Sequence, residues 1–133
     1  MINPYTAVVH EVSVISGIVN AVLEELEKYD VIKVSAVDIL IGDMTMLGDE
    51  QLTFAYEVVT RDTLLEGSKL NIEHESIRVT CDACKYDGPV KLLESGDYTS
   101  HKIPVMSCPE CGGHIEVVAG QSCCVTSVDI EEA

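Results

Sequence analysis

Tryptophan is absent from this 133-residue chain, phenylalanine occurs once, and Lys and Arg together number 8 against 23 Asp and Glu. The resulting formal charge of −15 argues against a function built on broad attraction to a phosphate backbone, because most of the surface repels one. No uncharged run reaches the roughly 18 residues that a membrane span needs. The apolar N-terminal stretch has no Lys or Arg before Lys28, contains His10 and Glu11, and lacks the cleavage site of a signal peptide. A phosphate-cradling glycine-rich loop is missing, as is any Ser, His and Asp set that spacing would single out, so no enzyme class is indicated. There is no internal repeat and no low-complexity segment. What remains is a globular chain, 47% hydrophobic, expected to form one domain or one domain with a small second module. Six cysteines without a secretory signal point to a reducing, cytoplasmic setting.

Four of those cysteines are in metal-binding spacing. Cys81-Asp82-Ala83-Cys84 and Cys108-Pro109-Glu110-Cys111 are two Cys-x-x-Cys knuckles separated by the 23 residues from Lys85 to Ser107. Each two-residue spacer curls the backbone so that both sulfurs face one point, and two such hooks supply the four thiolates that tetrahedral Zn²⁺ prefers. Tyr86-Asp87-Gly88 and Gly112-Gly113 are the expected tight turns of a zinc ribbon. Scattered core cysteines would not repeat the spacing, and a thioredoxin-like redox pair has no use for a second knuckle. A catalytic zinc site is disfavoured as well, since four thiolates leave no open position for water.

The rest of the chain reads as an α+β domain around this insert. Residues 1 to 9, with Asn3-Pro4, read as a short extension. From Val12 the apolar positions Val12, Ile15, Val19, Val22 and Leu26 fall on one helix face, widened by Ile18 and Leu23, which predicts a helix from Glu11 to Tyr29 with Glu11 in its first turn. Lys33 to Ile41 alternates as a strand, Asp49 and Glu50 open a second helix carrying Leu52, Ala55, Tyr56 and Val59, and Leu70, Ile72 and His74 mark a second strand. Cys123 to Ile130 returns as a closing strand. Its apolar parity changes between Val125 and Val128, which requires a bulge near Thr126 or Ser127. The expected fold is two helices on a small three-stranded sheet, with an inserted zinc ribbon projecting from two neighbouring strands. That gives one domain of residues 1–77 plus 119–133 and a second of residues 78–118.

A His-Glu dipeptide opens the first helix, a strand ends Ile41-Gly42-Asp43, and a helix reads Leu52-Thr53-Phe54-Ala55-Tyr56-Glu57-Val58-Val59-Thr60. Glu66-Gly67-Ser68-Lys69-Leu70-Asn71-Ile72-Glu73, the paired knuckles and the closing strand follow. In this order the elements resemble the HypA/HybF family of hydrogenase nickel-insertion accessory proteins, from His10 to Glu131. The resemblance implies a non-enzymatic nickel metallochaperone. It would carry Ni²⁺ as cargo at His10 and Glu11 and a structural Zn²⁺ on Cys81, Cys84, Cys108 and Cys111. It implies two partners, a nickel-maturation GTPase and the large subunit of a [NiFe]-hydrogenase; from the charge and the lack of a long uncharged run, no nucleic acid or membrane partner is expected. Family members begin Met-His-Glu, whereas here Val9 stands in the methionine position behind eight further residues. Valine is also what a GTG start codon would show in conceptual translation.

Each of these residues has a plainer role. His10 and Glu11 read from the residues alone as a helix terminus facing water. His101 is a loop residue able to swing toward His10, His74 is expected to pack on its sheet face, and His114 to sit in a turn. Asp43 and Asp49 suit turn and cap positions. Cys123 and Cys124, adjacent in a strand, must point to opposite faces and cannot join one tetrahedral site, with one expected in the core and one partly exposed. The competing function is a zinc-ribbon nucleic-acid-binding or transcription-associated module. That requires a basic, aromatic-bearing ribbon, but Arg78 to Val118 holds six acids against four bases.

Overall fold

The computed structural model describes residues 4–94 and 102–133, with backbone alone for residues 4–9, Glu94 and Lys102. His101 lies outside the described residues. The chain divides into two compact units, one of Met1–Leu40, Leu47–Glu73 and Cys124–Ala133, the other of Ile41–Met46 and His74–Cys123.

In the first unit, helix α1 runs Pro4–Leu26. The expected extension is therefore helical from Pro4 onward, because proline's fixed φ and missing N–H suit the first helical position. Glu11 consequently sits in the third turn, not the first, and no acid occupies the first turn. The helix ends three residues early, where Glu27, Lys28 and Tyr29 donate their amides to the carbonyls of Glu24, Glu25 and Leu26 in tight i→i+3 bonds. Its inward stripe is the expected one, with Ile15, Ile18, Val19, Val22 and Leu26 all buried. Each such aliphatic side chain contributes about 1.5–3 kcal/mol on leaving water.

Strand β1 (Val31–Gly42) lies between β2 (Lys69–Glu75) and β8 (Cys123–Glu132) in a three-stranded sheet. The strands through which the chain enters and leaves the insert thus flank β1 and are not neighbours of each other. Val37, Ile39 and Ile41 are buried, as are Val34 and Ala36, so the inward parity shifts at Ala36-Val37. Helix α2 (Asp49–Val59) packs with α1 and buries Leu52, Ala55 and Tyr56. It closes at Thr60, whose hydroxyl donates to the Tyr56 carbonyl at 2.6 Å. Asp38, on the central strand, ties the sheet together. It accepts Asn71 Nδ2 of β2 at 2.7 Å and Ser127 Oγ of β8 at 2.6 Å, while Thr126 Oγ1 donates to its carbonyl at 3.2 Å. Two consecutive β8 residues thus reach one residue of β1, at the position where the change of apolar parity calls for a bulge.

In the second unit, β3 (Arg78–Cys81) pairs antiparallel with β4 (Asp87–Gly88) through Val79↔Gly88 and with β7 (Ile115–Ala119) through Cys81↔Ile115. A separate hairpin joins β5 (Leu92–Glu94) to β6 (Lys102–Pro104), with Leu93 opposite Ile103. The core is small: Ile77, Val79, Cys81, Val90, Cys108 and Ile115, with Met44, Tyr86 and Val117 against it.

The ends of this unit are drawn together tightly. Glu75 accepts the Gly120 amide at 2.5 Å and the Ser122 amide and hydroxyl at 3.4 and 2.9 Å. The Gly120 amide first, then the Ser122 hydroxyl, hold the Glu75 carboxyl below its ordinary range. Gly42 and Met44 donate their amides to the Ser122 and Gly120 carbonyls at 2.7 and 2.9 Å. At Gly42 a Cβ would lie 2.0 Å from the Gly120 oxygen, so the approach admits no side chain.

Candidate metal centre

The two knuckles repeat one backbone pattern. Lys85 donates to the Cys81 carbonyl at 2.9 Å and Gly112 to the Cys108 carbonyl at 2.8 Å. In return the amides of Cys81 and Cys108 donate to the carbonyls of Tyr86 at 2.9 Å and Gly113 at 3.0 Å. Each loop is thereby closed on itself. Sequence reading placed the first turn at Tyr86-Asp87-Gly88, but the residue that turns with positive φ is Lys85, at the same offset as Gly112. The offset shared with Gly112 was the available signal.

This geometry brings the four sulfurs of Cys81, Cys84, Cys108 and Cys111 within 4.8 Å of one another, two from buried and two from exposed residues. Among the described residues no other His, Cys, Asp and Glu set of three or more is gathered closely enough to hold an ion. Cys81 Sγ lies 3.6 Å from Cys111 Sγ, and Cys84 Sγ 3.5 Å from Cys108 Sγ. A disulfide would need about 2.05 Å. Tetrahedral zinc with bonds of about 2.3 Å holds its sulfurs about 3.8 Å apart, so the donor set fits that ion. Gly113 leaves room for the cluster, since a Cβ there would stand 3.2 Å from Cys111 Sγ.

The backbone is arranged to stabilise thiolate. The Tyr86 amide pulls the Cys84 thiol down, but the sulfur of Cys108, burial, and then Cys111 and Cys81 outweigh it and leave it pushed up to about 12. Burial opposes ionisation of Cys108, yet the amides of Cys111 and Glu110 and the neighbouring sulfurs bring it down to about 7. The Gly113 amide favours the Cys111 thiolate, and the sulfurs of Cys81 and Cys108 raise it. Crowded sulfurs that share protons unequally in this way are converted together to thiolates by a divalent cation. The amide donors at Tyr86, Glu110 and Gly113 went unnoticed in the sequence, because backbone groups carry no residue signature.

The other candidate residues are dispersed. His10 is exposed on α1, whereas Glu11 is buried, 4% exposed, and so does not face water as the helix-terminus reading expected. Adjacent helix residues point about 100° apart, so the two side chains do not face each other. His74 is exposed and not packed on its sheet, and its Nδ1 lies 3.7 Å from Asp43 Oδ1. Asp49 opens α2 and His114 is exposed beside β7. Cys123 and Cys124 are both exposed, which corrects the expectation that one would enter the core: the strand begins there, ahead of the inward residues Val125, Val128 and Ile130.

A four-sulfur cluster in a small β unit, in a chain whose other unit has two helices and a three-stranded sheet, is that of a metal-binding protein. Residues 9–130 match the family described as hydrogenase/urease nickel incorporation, metallochaperone HypA, and the chain belongs to that family. It is 38% identical over 124 residues to the hydrogenase maturation factor HypA of Methanothermobacter thermautotrophicus, covering 92% of this chain and 98% of that one. It is 32% identical over 122 residues to the HypA of Methanocella arvoryzae, again covering 92% and 98%. The fold matches the solution structure of the nickel metallochaperone HypA from Helicobacter pylori with a TM-score of 0.59 at 19% identity, over 92% of this chain and 98% of that one. No helix among the described residues is long and apolar enough to cross a membrane.

Proposed function

We propose that the chain is a nickel metallochaperone that takes Ni²⁺ as cargo at His10, with Glu11 next to it in sequence. With a GTPase partner, it delivers the ion to the large subunit of a [NiFe]-hydrogenase. The observation that carries the reading is the family match itself, which begins at Val9 and so makes His10 its second residue. Imidazole suits borderline Ni²⁺, and a site with few protein ligands suits an ion that must be released. The role is transfer, not catalysis.

The second part of the proposal is that Cys81, Cys84, Cys108 and Cys111 hold a structural Zn²⁺, with residues 78–118 acting as its domain and residues 1–77 plus 119–133 as the nickel-binding domain. Zinc would supply the charge that fixes all four sulfurs as thiolates, while the knuckle amides orient them. The first unit holds fifteen acids against four bases and the second eight against four, so long-range attraction of a partner falls mainly to the first.

The test is recovery of partners from a nickel-metabolising cell extract on the immobilised chain at low salt. A nickel-maturation GTPase is the expected capture, with association slowing as salt rises. Recovery of nucleic acid instead would support the zinc-ribbon alternative.

A further inference from the structure

Ala21, Val22, Leu26 and Tyr29 of α1 face Val125, Val128 and Ile130 of β8 across a hollow of about 460 Å³, and Glu25 is the one charged residue lining it. β8 is the last strand of its sheet, so one side of its ten-residue backbone has no neighbouring strand among the described residues. An open row of amides and carbonyls and an apolar hollow therefore lie on the same strand. That combination accepts an added strand, whose main chain pairs with the edge and whose alternate side chains enter the hollow.

Charge selects the occupant. β8 carries Asp129, Glu131 and Glu132 and no base, and the end of α1 and the turn after it add Glu24, Glu25 and Glu27. Lys28, the base nearest in sequence to the end of α1, is paired with Glu25 at 2.9 Å, and Lys33 lies five residues further on, in β1. A second copy of this chain would bring a further Asp129, Glu131 and Glu132 and no base to the edge, which leaves the acidic rim without counter-charge. We propose that the β8 edge and its hollow receive an extended segment of a partner protein in which apolar residues alternate with Lys or Arg. The apolar residues fill the hollow and the basic ones face the acidic rim. This goes beyond the nickel reading and does not depend on it.

The probe is a nine-residue capped peptide alternating Val and Lys, added to the full metal-loaded chain and followed by NMR shifts and amide exchange. Two controls have Glu in place of Lys, or the same residues in two blocks. The alternating peptide should bind at least tenfold tighter than either control and slow exchange along residues 125–130. Ala21→Trp, at an exposed position, should fill the hollow and abolish binding without lowering the melting temperature. Glu131→Lys with Glu132→Lys should weaken binding about tenfold. The proposal is overturned by absence of binding, by equal affinity for the block peptide, or by shifts confined to other faces. It is overturned equally if the chain alone dimerises and protects these same amides.

Discussion

Lys85 and Gly112 occupy the same station in the two knuckles, four residues after Cys81 and Cys108, and both hold a left-handed backbone, at φ 64° and 74°. Each donates its amide to the carbonyl of the cysteine that begins its loop. Glycine adopts this conformation freely, whereas a residue with a Cβ is strained in it by about 1–2 kcal/mol. The first knuckle thus carries strain that the second does not.

Substitutions at these two positions should move stability in opposite directions. Lys85→Gly should stabilise the metal-loaded second unit by at most about 1 kcal/mol, part of the relief being offset by glycine's freedom in the unfolded chain. Gly112→Ala should cost about 1–2 kcal/mol. Denaturant unfolding of the loaded chain measures both.

Elemental analysis should find one zinc per chain, and X-ray absorption a shell of four sulfurs. Two of the six buried residues in the core cluster of the second unit, Cys81 and Cys108, are themselves proposed ligands, so that cluster has little else to hold it. Structural zinc contributes an apparent stabilisation of about 10–16 kcal/mol in small domains. Cys84→Ala should therefore unfold the second unit, seen as collapse of its amide dispersion, and leave the helical signal of the first in place.

The first unit should weaken in acid because of Asp38. Ser127 first, then Asn71, hold its carboxyl below the ordinary 3.8 by hydrogen bonding to the charged form. A depressed carboxylate stabilises the fold fully above its unfolded value and loses that contribution as the pH falls through its folded value. Stability of this unit should be level from about pH 8 to 5 and then fall as the pH drops through 3.8 and below. Asp38→Asn should be less stable at neutral pH and flatter below pH 5, as read by urea unfolding across the range.

Periodicity and spacing made the elements legible wherever side-chain chemistry repeats. The stripe Ile15, Val19, Val22 and Leu26 is buried as its spacing requires, and the two knuckles converge as theirs does. The start of α1 was misread because Asn3-Pro4 signals a break as readily as a helix beginning. His74 and one of the pair Cys123 and Cys124 are exposed where burial was expected, because alternation says which residues share a face, not where a strand stops being covered. The Glu75 latch on Gly120 and Ser122 joins residues 45 and 47 apart, and no local pattern announces such a contact.

The nickel site proposed at His10 rests on resemblance alone, and the helix bears directly on it. Within α1 the amides of His10 and Glu11 point to the carbonyls of Thr6 and Ala7, which leaves the imidazole without amide nitrogens beside it to bind an ion. Replacing residues 1–9 by a single initiating Met should place a terminal amine next to His10 and tighten nickel binding.

Calorimetric titration of Ni²⁺ into the zinc-loaded chain, in its full and shortened forms and with His10→Ala in each, tests the central claim most directly. One nickel per chain is expected, bound more tightly in the shortened form and lost in both on His10→Ala. Nickel binding that survives that substitution unchanged would contradict it.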